Sequence, residues 1–521
     1  MKKKIILSSV ISVILIICIV LCSVLIPKSC NIEQDFSENL NRGLVVTRQN
    51  KKAFLSWRFL PTDEKGCEFN VYRSENGGEA TKLNDKPLYR ATFYEDDGIS
   101  SDKEYTYYVS KNYQGKEQNS EPFTMRANTE NGCFYTVDIK DGMKIKNVWV
   151  GDLNGDGAYD YVLDRVAPKG SADEEETEDE GSATENPQQQ YIEAYLSDGT
   201  FLWRISLGKN SENQYRIEPG STTIEVGHWD GVSVYDLDGD GKAEVYIRIA
   251  NGVTFGDGDK FEYTDDLHQW IAKLDGMTGK LSDKCAIPDD YIEDGPMAAQ
   301  FGVGYLDGKQ PSLVAVMKNR RNDKGDDLGF NMLICAYSVR NDRLSMNFKW
   351  KSTEAGVECP EGHQFRICDV DFDGKDEILE IGFCLNGDGT LRYSLANDGI
   401  CHGDRFYVGK YNKDDEHMTG YGVQQNNPDL IYEYYYDAAT GEILWKHIGD
   451  TLSDIGRGCA ADIDPTVDGA EVWAFSGIYN AKSTFYCPSQ SRQFGPILTY
   501  SGTAICFLNS TMKIIYRNGT M

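Results

Sequence analysis

Three short acidic loops carry the most specific chemistry in this chain. They are Asp152-Leu-Asn154-Gly-Asp156-Gly-Ala158-Tyr-Asp160, Asp236-Leu-Asp238-Gly-Asp240-Gly-Lys242-Ala-Glu244 and Asp369-Val-Asp371-Phe-Asp373-Gly-Lys375-Asp-Glu377. Each sets carboxylate or amide oxygens at positions 1, 3 and 5 and a carboxylate at position 9, with a glycine at 6 for the sharp turn. The residue at position 7 adds its backbone carbonyl, and hard oxygen donors at this density suit Ca²⁺. A weaker fourth version holds Asp462, Asp464 and Glu471. An EF-hand needs a bidentate acid at position 12 and flanking helices. Here position 12 is Leu163, Ile247 or Glu380, and the residues after each loop read as strand, as in Ala243-Glu-Val-Tyr-Ile-Arg-Ile-Ala250. These are Ca²⁺ loops between β-strands.

The strands that position them repeat. Successive loops start at Asp152, Asp236, Asp369 and Asp462, which fits two, three and two units of about 44 residues, the size of a propeller blade. A second phrase recurs between them: Asp198-Gly-Thr-Phe-Leu-Trp203, Asp275-Gly-Met-Thr-Gly-Lys280 and Asp437-Ala-Ala-Thr-Gly-Glu-Ile-Leu-Trp445. It reads as a hairpin turn entering an aromatic strand. The pattern predicts an all-β chain with a Ca²⁺-binding β-propeller over residues 133–521. Residues 41–130 carry short alternating strands, such as Glu68-Phe-Asn-Val-Tyr-Arg73 and Tyr105-Thr-Tyr-Tyr-Val109, and read as a small β-sandwich of the fibronectin III or immunoglobulin type. Residues 171–190 form an acidic, polar insertion expected to be disordered.

The net charge of −29 over 521 residues argues against a nucleic-acid partner. Met1-Lys-Lys-Lys4 precedes an apolar or small run from Ile5 to Ile26, so residues 1–30 read as an export signal or an N-terminal membrane anchor, with a linker over 31–40. The expected location is extracellular or cell-surface, with membrane contact only through that segment. The 14 cysteines show no CxxC spacing and no zinc or disulfide framework.

The order of phrases resembles the family 11 rhamnogalacturonan lyases. The matching stretches include Leu40-Asn-Arg-Gly-Leu-Val45, Gly151-Asp-Leu-Asn-Gly-Asp-Gly157, Leu202-Trp-Arg-Ile-Ser-Leu-Gly-Lys-Asn210, Gly362-His363-Gln364, His402-Gly-Asp404 and Asp454-Ile-Gly-Arg-Gly-Cys-Ala-Ala-Asp-Ile-Asp-Pro465. They are collinear over residues 40–475. The resemblance implies an eight-bladed propeller, incomplete here if the last part of the chain does not supply its final sheets, with several bound Ca²⁺ ions. It implies β-elimination in the rhamnose–galacturonate backbone of pectin rhamnogalacturonan I, an acidic plant polysaccharide; the chain is expected to be a monomer.

Removing the galacturonate C5 proton requires neutralising the adjacent carboxylate, which Ca²⁺ or an arginine can do. The resemblance places His363, His402 and Asp404 in the cleft near a cation or the sugar. Arg457 is the candidate for carboxylate neutralisation or proton abstraction, and Lys410 a further candidate base. The chain departs from the family at Leu163-Asp-Arg-Val-Ala-Pro168 and Ile249-Ala-Asn-Gly-Val253, and the match fades after Trp473. Two other readings stay open: a non-catalytic pectin-binding propeller derived from such a lyase, and an integrin-like Ca²⁺-propeller adhesion protein.

Overall fold

The computed structural model describes residues 36–515 apart from 37, 90, 133, 135–136, 141–142, 167–189, 209–230, 295–296, 321–329, 464–467, 475, 481–484, 488–504 and 508–512. The expected export segment and nearly all of the acidic insertion therefore lie outside the described residues. The chain divides into two compact units, Met1–Ser37 and Glu38–Met521, and the strands described here belong to the second. Among the described residues the only helical elements are short 3-10 turns, and no helix is long and apolar enough to cross a membrane.

The strands between residues 45 and 125 form two sheets around one core. Val45–Gln49, Lys52–Ser56 and Phe93–Asp96 make a three-stranded sheet; a second is built on Glu68–Glu75 and Tyr105–Tyr113. Alternate residues of the long strands point inward, so Val46, Leu55, Phe69, Val71, Tyr107 and Val109 share one buried cluster.

From Lys144 onward the described residues make six successive four-stranded antiparallel meanders, each in the order of its sequence. Their first strands are Lys144–Gly151, Val232–Tyr235, Ala298–Gly304, Arg366–Cys368, Phe406–Gly409 and Cys459–Ala461. A two-stranded pair, Ile505–Phe507 with Lys513–Ile515, comes after them. Second strands such as Glu244–Ala250, Glu377–Glu380 and Thr419–Val423 are buried along their whole length. Fourth strands such as Ile443–Ile448 alternate between half-buried and exposed. Each core cluster joins two consecutive sheets. Val162 of the first sheet packs with Ile247 of the second; Ile334 of the third packs with Phe383 of the fourth.

The repeat spacing read from the loops needs correction. The first two acidic loops lie in adjacent sheets, not two units apart, and the second and third are two sheets apart, not three. The spacing stretched because connections of very different length separate equivalent strands: the first strands of the first two sheets start 88 residues apart, those of the fourth and fifth only 40.

In a four-stranded meander, the connections from strand one to two and from three to four lie at one end of the sheet. All four acidic loops are one-to-two connections, and the repeated Asp-Gly or Asp-Ala phrases are three-to-four connections. Both therefore sit at the same sheet ends, and Ser197 N donates to Asp160 Oδ1 across them at 2.8 Å. The loops entering each first strand lie at the opposite ends.

Candidate active site

Those opposite ends bring four of the five candidate catalytic residues together. His363 precedes the first strand of the fourth sheet, His402 and Asp404 that of the fifth, and Arg457 that of the sixth. His363 Nε2 lies 3.2 Å from His402 Nε2 and 3.4 Å from Asp404 Oδ1. Arg457 Nη1 pairs with Asp404 Oδ2. Lys410 is not among them. It comes directly after Phe406–Gly409, at the far end of that strand and six residues beyond Asp404, and its ammonium sits over the Phe372 ring in the third acidic loop. Six extended residues span roughly 20 Å.

The backbone approach that joins these loops depends on glycine. Gly362 and Gly403 form a parallel bridge. A Cβ on Gly403 would stand 2.0 Å from the Val423 carbonyl oxygen, so a side chain there would force the loop away from the fifth sheet.

Glu361, Lys318, Glu380 and Gln300 support the cluster, and no sequence motif marks them as site residues. His402 Nδ1 lies 2.9 Å from both the carboxylate and the backbone oxygen of Glu361. Two acceptors on Nδ1 fix the tautomer with its proton there and turn Nε2 toward His363. Burial opposes charge on His402, but the Glu361 carboxylate outweighs it and raises the imidazole above its ordinary range. Glu361 itself is depressed to about 2: burial works against its charge, and Lys318 and His402 overcome it. The Lys318 ammonium is buried 2.9 Å from Glu380 and 3.3 Å from Glu361, and also donates to the Gly362 carbonyl at 2.6 Å. Gln300 Nε2 donates to the His363 carbonyl at 2.7 Å. Only Lys318 leaves a weak trace in the sequence: a charge closing the apolar run Leu313-Val-Ala-Val-Met317.

His363, His402 and Asp404 form one of three groups among the described residues whose donor atoms lie close enough to share a cation. The others are Asp236, Asp238 and Glu244, and Asp369, Asp371 and Glu377. In the second and third loops the position-1 aspartate is tied to its own loop. Asp236 accepts from Gly239 N and Gly241 N at 2.6 and 2.8 Å, and Asp369 accepts from Asp373 N and Gly374 N at 3.0 and 2.9 Å. Lys242 N and Lys375 N each donate to the position-5 aspartate, Asp240 or Asp373, at 2.8 Å. In the first loop Asp152 accepts from Gly155, Asp156 and Gly157, Asp156 from Ala158 N, and Asn154 donates to Asp156. Burial pushes Asp160 up to about 6, Glu377 to about 7 and Glu244 to about 8. Buried carboxylates that resist ionisation are what a divalent cation relieves, so these oxygen sets fit Ca²⁺. Two loops also hold a side-chain cation: Lys273 Nζ lies 2.5 Å from Asp238 and 3.5 Å from Glu244, and Arg392 pairs with Asp371 and lies 3.1 Å from Glu377. In the fourth loop Asp464 lies outside the described residues, Asp462 is exposed, and buried Glu471 accepts from Ile463 N at 3.0 Å.

Comparison with known proteins bears on this geometry. The profile of the family described as "Rhamnogalacturonan lyase family 11, C-terminal domain" matches residues 123–269 and 296–504. That of "Rhamnogalacturonan I lyases beta-sheet domain" matches residues 35–125. The chain is 33% identical over 488 residues to the rhamnogalacturonan endolyase YesW of Bacillus subtilis (strain 168), covering 85% of this chain and 70% of that one. It is 32% identical over 480 residues to the rhamnogalacturonan exolyase YesX of the same organism, with 84% and 70% covered. Among solved structures, that of YesW superposes with a TM-score of 0.69 at 30% identity, over 87% of this chain and 76% of that one. A Bacillus licheniformis rhamnogalacturonan lyase superposes with a TM-score of 0.70 at 28% identity, over 88% and 76%.

Proposed function

Since this chain belongs to the family 11 rhamnogalacturonan lyases, we propose that it is an exported polysaccharide lyase that cleaves the rhamnose–galacturonate backbone of rhamnogalacturonan I by β-elimination. The observation that carries this reading is the convergence of His363, His402, Asp404 and Arg457 from loops entering three successive sheets. In this reading the six meanders are blades of a β-propeller, the two N-terminal sheets are a β-sandwich, and export runs through the Ile5–Ile26 segment.

Breaking the bond requires loss of the galacturonate C5 proton and departure of the C4 oxygen. The charge that develops spreads into the C6 carboxylate, so fixed positive charge beside that carboxylate lowers the barrier. Asp404 aims the Arg457 guanidinium, whose planar fork of N–H donors suits it to anchor a carboxylate. His402, oriented by Glu361, and His363 present Nε2 atoms that, with Asp404 Oδ1, would hold a cation. A cation held by these three groups would add positive charge beside the same carboxylate. The proton acceptor lies outside these four residues, since each is committed to the cation or to the substrate carboxylate. The acidic loops, at the other ends of the sheets, hold Ca²⁺ as scaffold.

The test is incubation with rhamnogalacturonan I and Ca²⁺, following the absorbance of the unsaturated uronate end. Product that disappears with Arg457→Ala, in a variant that still melts cooperatively, supports the lyase. Polymer binding without product would leave a carbohydrate-binding protein and no enzyme.

A further inference from the structure

In the second and third acidic loops, the same two ligand positions meet a side-chain cation. Lys273 Nζ lies 2.5 Å from Asp238, at position 3, and 3.5 Å from Glu244, at position 9. Arg392 pairs with Asp371, at position 3, and lies 3.1 Å from Glu377, at position 9. The acids at positions 1 and 5 of both loops accept backbone N–H groups of their own loop instead.

The two cations arrive by different routes. Lys273 comes from the third strand of the second sheet, Gln269–Leu274, and Arg392 from the fourth strand of the fourth sheet, Leu391–Ser394. The Lys273 side chain is 6% exposed and stands between the fully buried Ala272 and Leu274. A lysine so far from water is tolerated only where carboxylates meet it. The Arg392 guanidinium is held from a third side, since its Nε donates to the Ala439 carbonyl at 2.7 Å.

The first loop is built differently. Its position 3 is the neutral Asn154, which donates to Asp156, and Asp160 at position 9 accepts from Leu153 N and Ser197 N. Among the described residues no lysine or arginine pairs with its acids, and the charges acting on Asp160 are those of Asp156 and Asp152, of its own sign.

Ca²⁺ holds its oxygen ligands at about 2.3–2.6 Å. An ammonium 2.5 Å from Asp238 takes up that space, and an ion can reach positions 3 and 9 only by driving the side chain out. We propose that Lys273 and Arg392 stand in for Ca²⁺ in the second and third loops, as built-in counter-ions that keep these loops closed without metal and compete with it; this rests on the reading of the acidic loops as Ca²⁺ scaffold. The first loop then loads at the lowest Ca²⁺ concentration, and most of the scaffold persists where Ca²⁺ is scarce. A supporting role behind the ligands would have the opposite sign, because losing a residue that orients the ligands weakens the bound ion.

The test titrates Ca²⁺ by calorimetry into the chelator-stripped full chain, as wild type, Asp156→Ala, Lys273→Met and Arg392→Met, with a thermal melt of each in chelator and in Ca²⁺. Asp156→Ala is expected to remove the tightest binding. Lys273→Met and Arg392→Met should each tighten one further ion by at least about tenfold, since a competing unit charge beside it is gone. Both should melt lower than wild type in chelator and recover in Ca²⁺. Arg392→Met, at a half-buried position, carries the decision if Lys273→Met folds in neither condition. Weaker Ca²⁺ binding in the two variants, or binding unchanged in both, overturns the replacement; if Asp156→Ala still removes tight binding, the Ca²⁺ scaffold stands. No Ca²⁺ binding by the wild type or any variant refutes both. Tightened binding in the variants, with no lyase product from the wild type, keeps the replacement and refutes the lyase.

Discussion

Asp404 engages two partners with its two oxygens: Oδ2 pairs with Arg457, 53 positions later in the chain, and Oδ1 stands 3.4 Å from His363 Nε2. One carboxylate thus couples the guanidinium expected to meet the substrate with the imidazoles expected to hold a cation. Asp404→Asn keeps the shape and removes the charge that holds both groups.

Arg457→Ala is expected to lower kcat/KM by about 10²–10³, the usual loss for one donor aimed at developing charge. The Arg457 side chain is 39% exposed, so the melting temperature should barely move. Kinetics on rhamnogalacturonan I with a parallel thermal melt check both halves. A variant with unchanged turnover removes Arg457 from the mechanism.

Glu361 gives the protein an acid-sensitive support. Its carboxylate titrates at about 2 in the fold against an ordinary 4.5. A depressed carboxylate contributes stability that is fully present above pH 4.5 and is lost as the pH falls toward 2. The shift corresponds to roughly 3 kcal/mol, shared with Lys318 and His402. Glu361→Gln should therefore be less stable at pH 6, and should lose part of the wild-type slope of stability between pH 4.5 and 3, as read by urea unfolding.

The acidic loops predict the opposite sign. Glu244, Glu377 and Asp160 are raised to about 8, 7 and 6, so in metal-free protein their ionised forms cost stability above those values. Protonation relieves that cost as the pH falls from 8 toward 5, until the unfolded chain takes up the same protons. Ca²⁺ stabilises by mass action and favours the ionised loops. The rise in melting temperature on adding Ca²⁺ to chelator-treated protein should be larger at pH 8 than at pH 5.5. An equal rise at both would separate the ion from these carboxylates.

Gly403→Ala should disrupt the site through the backbone. The added methyl would lie 2.0 Å from the Val423 carbonyl oxygen, and backbone cannot yield as a side-chain end can. A cost of about 1–3 kcal/mol or more is expected. Urea unfolding measures it, and loss of turnover should accompany it because His402 and Asp404 flank the glycine.

The sequence by itself determined the strand-forming chain, the oxygen-rich loops and the order of phrases that marks the family. These are local properties: a 1-3-5-9 ligand spacing closes on itself within nine residues, and an alternating strand shows its buried face in its own pattern. Tertiary structure alone decided which of these residues meet. His363 and Asp369 are six positions apart and stand at opposite ends of a sheet, whereas His363 and Arg457 are 94 positions apart and share a site through Asp404. Lys410 follows Asp404 by six positions and is parted from it by a strand's length. Glu361 and Lys318 stayed hidden for the same reason: a lysine after an apolar run becomes a buried support only when the next sheet brings two carboxylates to it. The loop spacing misplaced the sheets because connection length is free to vary where chain emerges into solvent, while the packing of one sheet's face on the next is not.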